Sequence, residues 1–158
     1  MHRTQLSSGI ATGIGGLPHR DAVDAATFVL RNMELPAIPT LPRRSPAEGS
    51  MAQAMVGMQG ITVGQYGSIA VDAPLVDPLA PIVTDLEHDA FLGFRTFLEL
   101  AHEQQFVGPV KWQFVGPVSF GLALMRAGVP MSEAFESAVR CVRARLQHLL
   151  DAVSLALL

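Results

Sequence analysis

Three glycines and a proline fall within seven residues, Gly13-Ile14-Gly15-Gly16-Leu17-Pro18-His19, directly after a short apolar run. Such a stretch is typical of a buried strand that opens into a loop, where glycine lets the backbone approach a ligand closely. In α/β proteins, ligands bind beyond the carboxyl ends of the strands. The loop is not a dinucleotide fingerprint, because Pro18 stands where the third glycine should fall, and no Gly-Lys-Ser/Thr of a P-loop follows. We therefore predict a ligand-binding loop, with a plain tight turn as the alternative.

The composition bounds the class of protein. The chain has 158 residues, 49% of them hydrophobic and only 16% charged, whereas about 25% are charged in a typical soluble domain. This predicts one domain with a large core or a partner surface. The net charge of −3 and the absence of a long basic run argue against nucleic-acid and anionic-membrane partners.

Cysteine usage and targeting signals indicate the compartment. The single cysteine, Cys141, excludes an internal disulfide and indicates a reducing environment. No apolar run approaches the ~20 residues of a membrane span, and the N-terminus lacks a signal-peptide pattern. We therefore expect a cytoplasmic protein with no membrane partner.

The elements that would position the glycine loop read as a βαβ unit. We expect a flexible N-terminus at 1–9, a strand at 10–14, a helix at 21–32 capped by Asp21, and an extended segment at 34–40. Two such strands should be parallel, with a right-handed crossover.

Further helices and strands follow in alternation. Capping boxes at Ser45–Glu48 and Thr84–Glu87 predict helices to about 56 and 105. Strands are predicted at 61–63, 69–71 and 110–115, and a helix at 119–126. The last helix, from Ser132, carries an apolar stripe that we expect to face the core: Phe135, Val139, Val142, Leu146, Leu149 and Val153. This α/β order predicts half of a (β/α)₈ barrel, since the whole fold typically needs about 250 residues.

Three motifs carry a family resemblance: the glycine loop at 13–18, Gln65-Tyr66-Gly67-Ser68, and Val110-Lys-Trp-Gln113 with Gly116-Pro-Val-Ser119. In this order they resemble the catalytic barrel of cobalamin-independent methionine synthase, and most closely the short methionine synthase-like proteins of actinobacteria. The resemblance covers most of residues 10–155 and implies that 10–158 form the N-terminal half of a TIM barrel. Uroporphyrinogen decarboxylases, which share the barrel and a similar Gly-Pro turn, are the alternative family.

The resemblance implies a methyltransferase that acts on the thiol of a homocysteine-like amino acid with the help of zinc. The family's zinc ligands are His, Cys, Glu and Cys from the second half of the barrel, beyond this chain. No catalytic or metal-ligating residue is therefore predicted here, and Cys141 is interpreted as structural. Ile69 and Ala70 replace the family's Arg-Cys, and Ala123 stands near the place of its folate-stacking tryptophan. These departures argue against a reduced folate as the methyl donor.

Seven residues are predicted to bind the substrate. The resemblance implies that the backbone of Ile14, Gly15 and Gly16 holds the amino acid and that Glu48 holds its amine, with helix capping as the alternative for Glu48. Tyr66 and Ser68 sit in a loop where they can bond a carboxylate or phosphate, unless the loop is a plain turn. Gln113, near the carboxyl end of its strand, can reach a ligand or can be a buried, hydrogen-bonded glutamine. We expect the three motifs to cluster at one end of the parallel strands.

Three hypotheses of function follow. In the first, the chain positions a small thiol substrate for zinc-assisted S-methyl transfer in a longer protein and is inactive alone. In the second, it is a non-catalytic half-barrel that associates with a second copy or a missing C-terminal half, because an open barrel leaves apolar surface exposed. In the third, it is a decarboxylase-like barrel for a tetrapyrrole, although only Arg20, Arg43 and Arg44 lie near the candidate loops.

Overall fold

The computed structural model describes residues 6–64, 66, 68–153 and 157, so residues 1–5 of the predicted flexible terminus lie outside it. Most of the regular structure in this part of the chain is helical. Its five α-helices are α1 (Ala22–Asn32), α2 (Ser50–Met55), α3 (Leu92–Glu103), α4 (Pro117–Arg126) and α5 (Met131–Ala152). Three short 3₁₀ helices span Pro46–Glu48, Ala73–Leu75 and Asp89–Phe91.

The predicted (β/α)₈ half-barrel is wrong. Within the described residues, the sheet consists of two strands, β1 (Ile61–Val63) and β2 (Ile69–Val71), which pair antiparallel as a hairpin. The structure is thus a small, helix-rich domain in which a parallel barrel is not formed.

The segments predicted as parallel strands are extended but barely paired. They are joined by the isolated parallel bridges Thr12↔Leu35, Gly16↔Thr40 and Ala37↔Lys111. Prolines at 36 and 39 remove backbone donors from the middle segment, so a continuous hydrogen-bond ladder cannot form there. The segments lie side by side without becoming strands.

The two predicted capping boxes have different structures from those expected. Ser45 makes no side-chain cap bond, and the short 3₁₀ turn at Pro46–Glu48 precedes α2. At the second box, Asp85 Oδ1 accepts the Glu87 N–H at 3.0 Å, a local turn that competes with helix formation. α3 therefore begins only at Leu92. By contrast, Asp21 caps α1 as predicted, since its Oδ1 accepts the Asp24 N–H at 2.9 Å.

The buried face of the last helix overlaps the predicted stripe only in part. Val142 and Leu149 are buried, but Val139 is 46% exposed. The face against the core instead includes Cys141 and Arg145, both fully buried. α5 packs on α4 so closely that a Cβ at Gly121 would lie 2.6 Å from the Phe135 ring.

A buried arginine explains the orientation of α5. The Arg145 Nε donates to the Ala54 carbonyl at 2.8 Å, one Nη donates to the Val56 carbonyl and the other to Thr84 Oγ1 at 3.3 Å. The last carbonyls of a helix have no partner within the helix. Arg145 supplies the donors at the end of α2 and draws its own face of α5 inward.

We predict that Arg145→Met destabilises the fold. The substitution leaves the buried Val56 carbonyl without its Arg145 donor and the Ala54 carbonyl with only the weak Cys141 thiol, which should lower the free energy of unfolding by about 2 kcal/mol or more. Urea denaturation followed by circular dichroism measures the change. Arg126→Met, at an exposed position in α4, is the control and should shift stability by less than about 0.5 kcal/mol. Equal midpoints for the two variants would contradict the capping role.

Candidate functional site

A pocket of about 210 Å³ lies where the glycine loop meets the extended segment at 38–42 and the beginning of α2. Its walls include Ile38, Thr40 and Gln53. Five of the seven residues predicted to bind substrate also line it: Ile14, Gly15, Gly16, Glu48 and Gln113. These five residues thus lie together although the fold is not the predicted barrel, and their role in binding stays a prediction.

The glycine loop is attached to the neighbouring segment on both sides. The Gly15 carbonyl accepts the Thr40 N–H at 2.9 Å, and the Leu17 N–H donates to the Thr40 carbonyl at 3.0 Å. Gly15 has a φ of +106°, and a Cβ there would lie 2.9 Å from the Ile38 carbonyl oxygen. Only glycine therefore fits this position without strain.

Three backbone donors of the loop have no acceptor among the described residues. Among the hydrogen bonds between described residues, none is donated by the N–H of Ile14, Gly15 or Gly16. Lys111 reaches the same loop, because its Nζ donates to the Gly13 carbonyl at 2.7 Å. Successive free N–H groups beside a cation suit an anionic group such as a carboxylate.

Glu48 lies at the wall of the pocket as a buried ion pair. Its carboxylate is fully buried. Oε2 accepts the Leu41 N–H at 2.9 Å, and Oε1 accepts from Arg44 Nε at 2.8 Å and Nη2 at 2.7 Å. Burial raises the pKa of Glu48 even though these hydrogen bonds oppose the shift. Since both oxygens already have protein partners, Glu48 holds the pocket wall together.

Arg44 extends this ion pair to the turn before α3. It donates to Asp89 Oδ1 at 2.8 Å and to the Asp89 carbonyl at 2.9 Å. The hydrogen bond from Arg44 to the Asp89 carboxylate keeps the pKa of Asp89 below its usual value. Behind the pair, a Cβ at Gly93 would lie 2.7 Å from Glu48 Oε2. α3 therefore packs directly against the buried carboxylate.

Besides the hydroxyls of Thr40 and Ser50, the pocket has two side-chain amides. Gln53 is buried, and its Nε2 donates to the Ala90 carbonyl at 2.8 Å. No described residue donates to Gln53 Oε1, which leaves an acceptor at the pocket wall. Gln113 is exposed, so the alternative of a buried glutamine is wrong. Reasoning from the sequence missed Gln53, which stands in no recognisable motif, and the pairing of Arg44 with Glu48.

Two of the predicted site residues lie elsewhere. Tyr66, 90% exposed, and Ser68 belong to the connection between β1 and β2, and neither lines the pocket. Gln65 and Gly67 of the same motif lie outside the described residues. Residues 116–119 also do not line the pocket. Gly116 caps α4, and Pro117 begins that helix. The predicted clustering of all three motifs is therefore not seen at this pocket.

A zinc site is not formed by the part of the chain that the structure describes. There, no three His, Cys, Asp or Glu side chains converge to hold a metal ion. Cys141 is buried with its Sγ 3.4 Å from the Ala54 carbonyl, and burial raises the pKa of its thiol. The zinc that the family resemblance implies, with ligands expected beyond this chain, therefore stays a prediction.

Comparison with known proteins identifies no family. No family model, no curated protein and no solved structure matches the chain. The resemblance to methionine synthase thus remains a prediction from motifs. Within the described residues, no helix combines the length and the apolar character that crossing a bilayer requires.

We predict that alanine destabilises the protein at Gly15 but not at the adjacent Gly16. Gly15→Ala meets both the positive φ and the Ile38 carbonyl and should lower the free energy of unfolding by about 1–3 kcal/mol. Gly16→Ala is the control, since its Cβ would lie 4.0 Å from its nearest neighbour, Thr40 Oγ1. Urea denaturation of both variants checks this, and a neutral Gly15→Ala would show that the loop conformation is wrong.

We also predict that Glu48→Ala is strongly destabilising. The change removes the partner of Arg44 and the acceptor of the buried Leu41 N–H, which should cost about 3 kcal/mol. Glu87→Ala is the matched control, because Glu87 is 86% exposed and 3.7 Å from Arg95, and exposed pairs contribute about 0–1 kcal/mol. Thermal and urea unfolding compare them. A loss no larger than that of the control would mean that the buried pair does not anchor the pocket.

Proposed function

We propose that the pocket binds a small zwitterion of amino-acid size, of which a homocysteine-like thiol is the substrate class implied by the resemblance. One observation carries the proposal: Ile14, Gly15, Gly16 and Gln53 line the same pocket, and the backbone N–H groups of the three loop residues and the Gln53 Oε1 have no partner among the described residues. The N–H groups bind the carboxylate, and the amide oxygen accepts from the ammonium.

The size of the pocket supports a small ligand. Its volume of about 210 Å³ lies below the roughly 300–1,000 Å³ of sites for drug-sized molecules. Ile14 and Ile38 provide an apolar wall for a short side chain. A cofactor with a large ring system would not fit.

The charge of the pocket supports a zwitterion over a multiply charged anion. Glu48 is neutralised by Arg44, and Lys111 already donates to the loop carbonyl of Gly13. The site thus offers one side that attracts negative charge and one amide acceptor, without the cluster of arginines that a phosphate or a tetracarboxylate requires.

The chemical step is a separate proposal. Zinc-assisted transfer of a methyl group to the bound thiol would need ligands that the described residues do not supply, so this pocket would serve only to position the substrate. A reducing, cytoplasmic setting suits both a thiol substrate and the free Cys141. Association with a second copy or with a further half stays a prediction.

We predict that titration calorimetry detects binding of L-homocysteine and L-methionine. Removing the carboxylate, as in 3-aminopropanethiol, or the amine, as in 4-mercaptobutyrate, should weaken binding by about tenfold or more, since each loses charge-assisted hydrogen bonds. Gln113→Ala, at an exposed position of the pocket, should weaken it about 2- to 10-fold.

The controls separate recognition from unfolding. Gln104→Ala removes an exposed glutamine outside the pocket and should leave affinity unchanged. Circular dichroism checks that every variant is folded. Equal binding of the amino acids and of the analogues without a carboxylate would overturn the role of the glycine loop.

A further inference from the structure

A second hollow region lies along α5. It consists of two cavities, of about 240 Å³ and about 620 Å³, which share Leu146 and Leu150 as lining residues. The smaller cavity is lined by apolar side chains, among them Phe94, Trp112 and Val153. The larger one is lined in part by Arg140 and Arg143. An apolar cavity and a cationic one therefore adjoin at the same two leucines.

The smaller cavity suits an apolar chain. The ring centroids of Trp112 and Phe94 lie 5.7 Å apart, so the cavity has an aromatic wall. Its volume of about 240 Å³ holds roughly eight groups of the size of a water molecule. Water gains few hydrogen bonds against such walls, whereas methylene groups are stabilised there. The indole Nε1–H of Trp112 is buried without an acceptor among the described residues.

The larger cavity suits an anion. Neither Arg140 nor Arg143 forms a salt bridge with a described carboxylate. One terminal nitrogen of Arg140, Nη1, is buried and has no hydrogen-bond partner among the described residues. Leaving a buried charged donor unpaired is costly, so an anionic group beside it would be stabilised.

The spacing along α5 places the cationic and the apolar residues of the two cavities one after the other along the helix. Arg143, Leu146 and Leu150 follow each other at intervals of three and four residues and so share one face of the helix. From Arg140 to Val153 the helix axis spans about 20 Å at 1.5 Å per residue. A molecule with an anionic head and an extended apolar tail matches this sequence of surfaces.

We propose that this groove on α5, lined by Arg140, Arg143, Leu146, Leu150 and Trp112, binds a medium-chain carboxylate of the fatty-acid type. The carboxylate pairs with the two guanidinium groups, and the chain packs over the leucines towards the aromatic wall. The proposal is independent of the amino-acid pocket, although Ile38 lines both.

Decanoate, kept below its micelle concentration, tests the proposal. Trp112 is the only tryptophan of the chain, so its fluorescence reports directly on the apolar cavity. We expect saturable binding by calorimetry together with a change in this fluorescence. Decanol has the same chain without the charge. Its affinity should be lower by about tenfold or more, because it cannot form the charge-assisted contacts.

Variants test the two ends separately. Arg140→Gln with Arg143→Gln should weaken decanoate about tenfold or more and leave decanol unchanged, whereas the exposed Arg126→Gln should change neither. Leu150→Glu, at a position that is 51% exposed and therefore compatible with folding, should abolish binding of both.

Three outcomes would overturn the proposal. The first is an absence of decanoate binding to the folded protein. The second is an equal affinity for decanoate and decanol, with both affinities unchanged in the double arginine variant. That result would indicate apolar adsorption alone. The third is a dimer on a sizing column that Leu150→Glu dissociates while decanoate has no effect, which would assign the groove to a second copy of the chain.

Discussion

The buried carboxylate of Glu48 is the constraint on which the pocket depends. A carboxylate without water must be paired and hydrogen-bonded, and here the Leu41 N–H and two nitrogens of Arg44 meet that need. Arg44 in turn holds Asp89, and Gly93 lets α3 approach the carboxylate. One buried charge thereby joins the segment around 41, the turn before α2 and the beginning of α3.

The glycine loop also depends on the Glu48–Arg44 pair, to which Thr40 connects it. Thr40 bonds to both Gly15 and Leu17, and it directly precedes Leu41, whose N–H is held by Glu48. The free N–H groups of the loop are therefore positioned by an ion pair that does not itself need to touch a ligand. This division of roles explains why a carboxylate in the pocket wall can be structural while neighbouring backbone groups remain free to bind.

A second buried charge determines how α5 packs. Arg145 bonds to carbonyls at the end of α2, which turns its face of α5 inward. Apolar residues that would otherwise fill the core, such as Val139 and Leu150, are then about half exposed. Fully satisfied polar networks of this kind specify one arrangement of a core. Here the arrangement also leaves the apolar and cationic cavities along α5.

The sequence by itself determined the features that depend on neighbours in the chain. These are α1 with its Asp21 cap, the positive φ of Gly15 in the glycine loop and the extended backbone around Pro36 and Pro39, because capping, glycine and proline act over a few residues. Only the tertiary structure decided which segments pair and which helix face is buried. Contacts such as Lys111 with Gly13 or Arg145 with Ala54 join residues 98 and 91 positions apart, and no periodicity encodes them. The barrel prediction failed at this step, since apolar alternation indicates an extended segment but does not supply the hydrogen-bonding neighbour that makes it a strand.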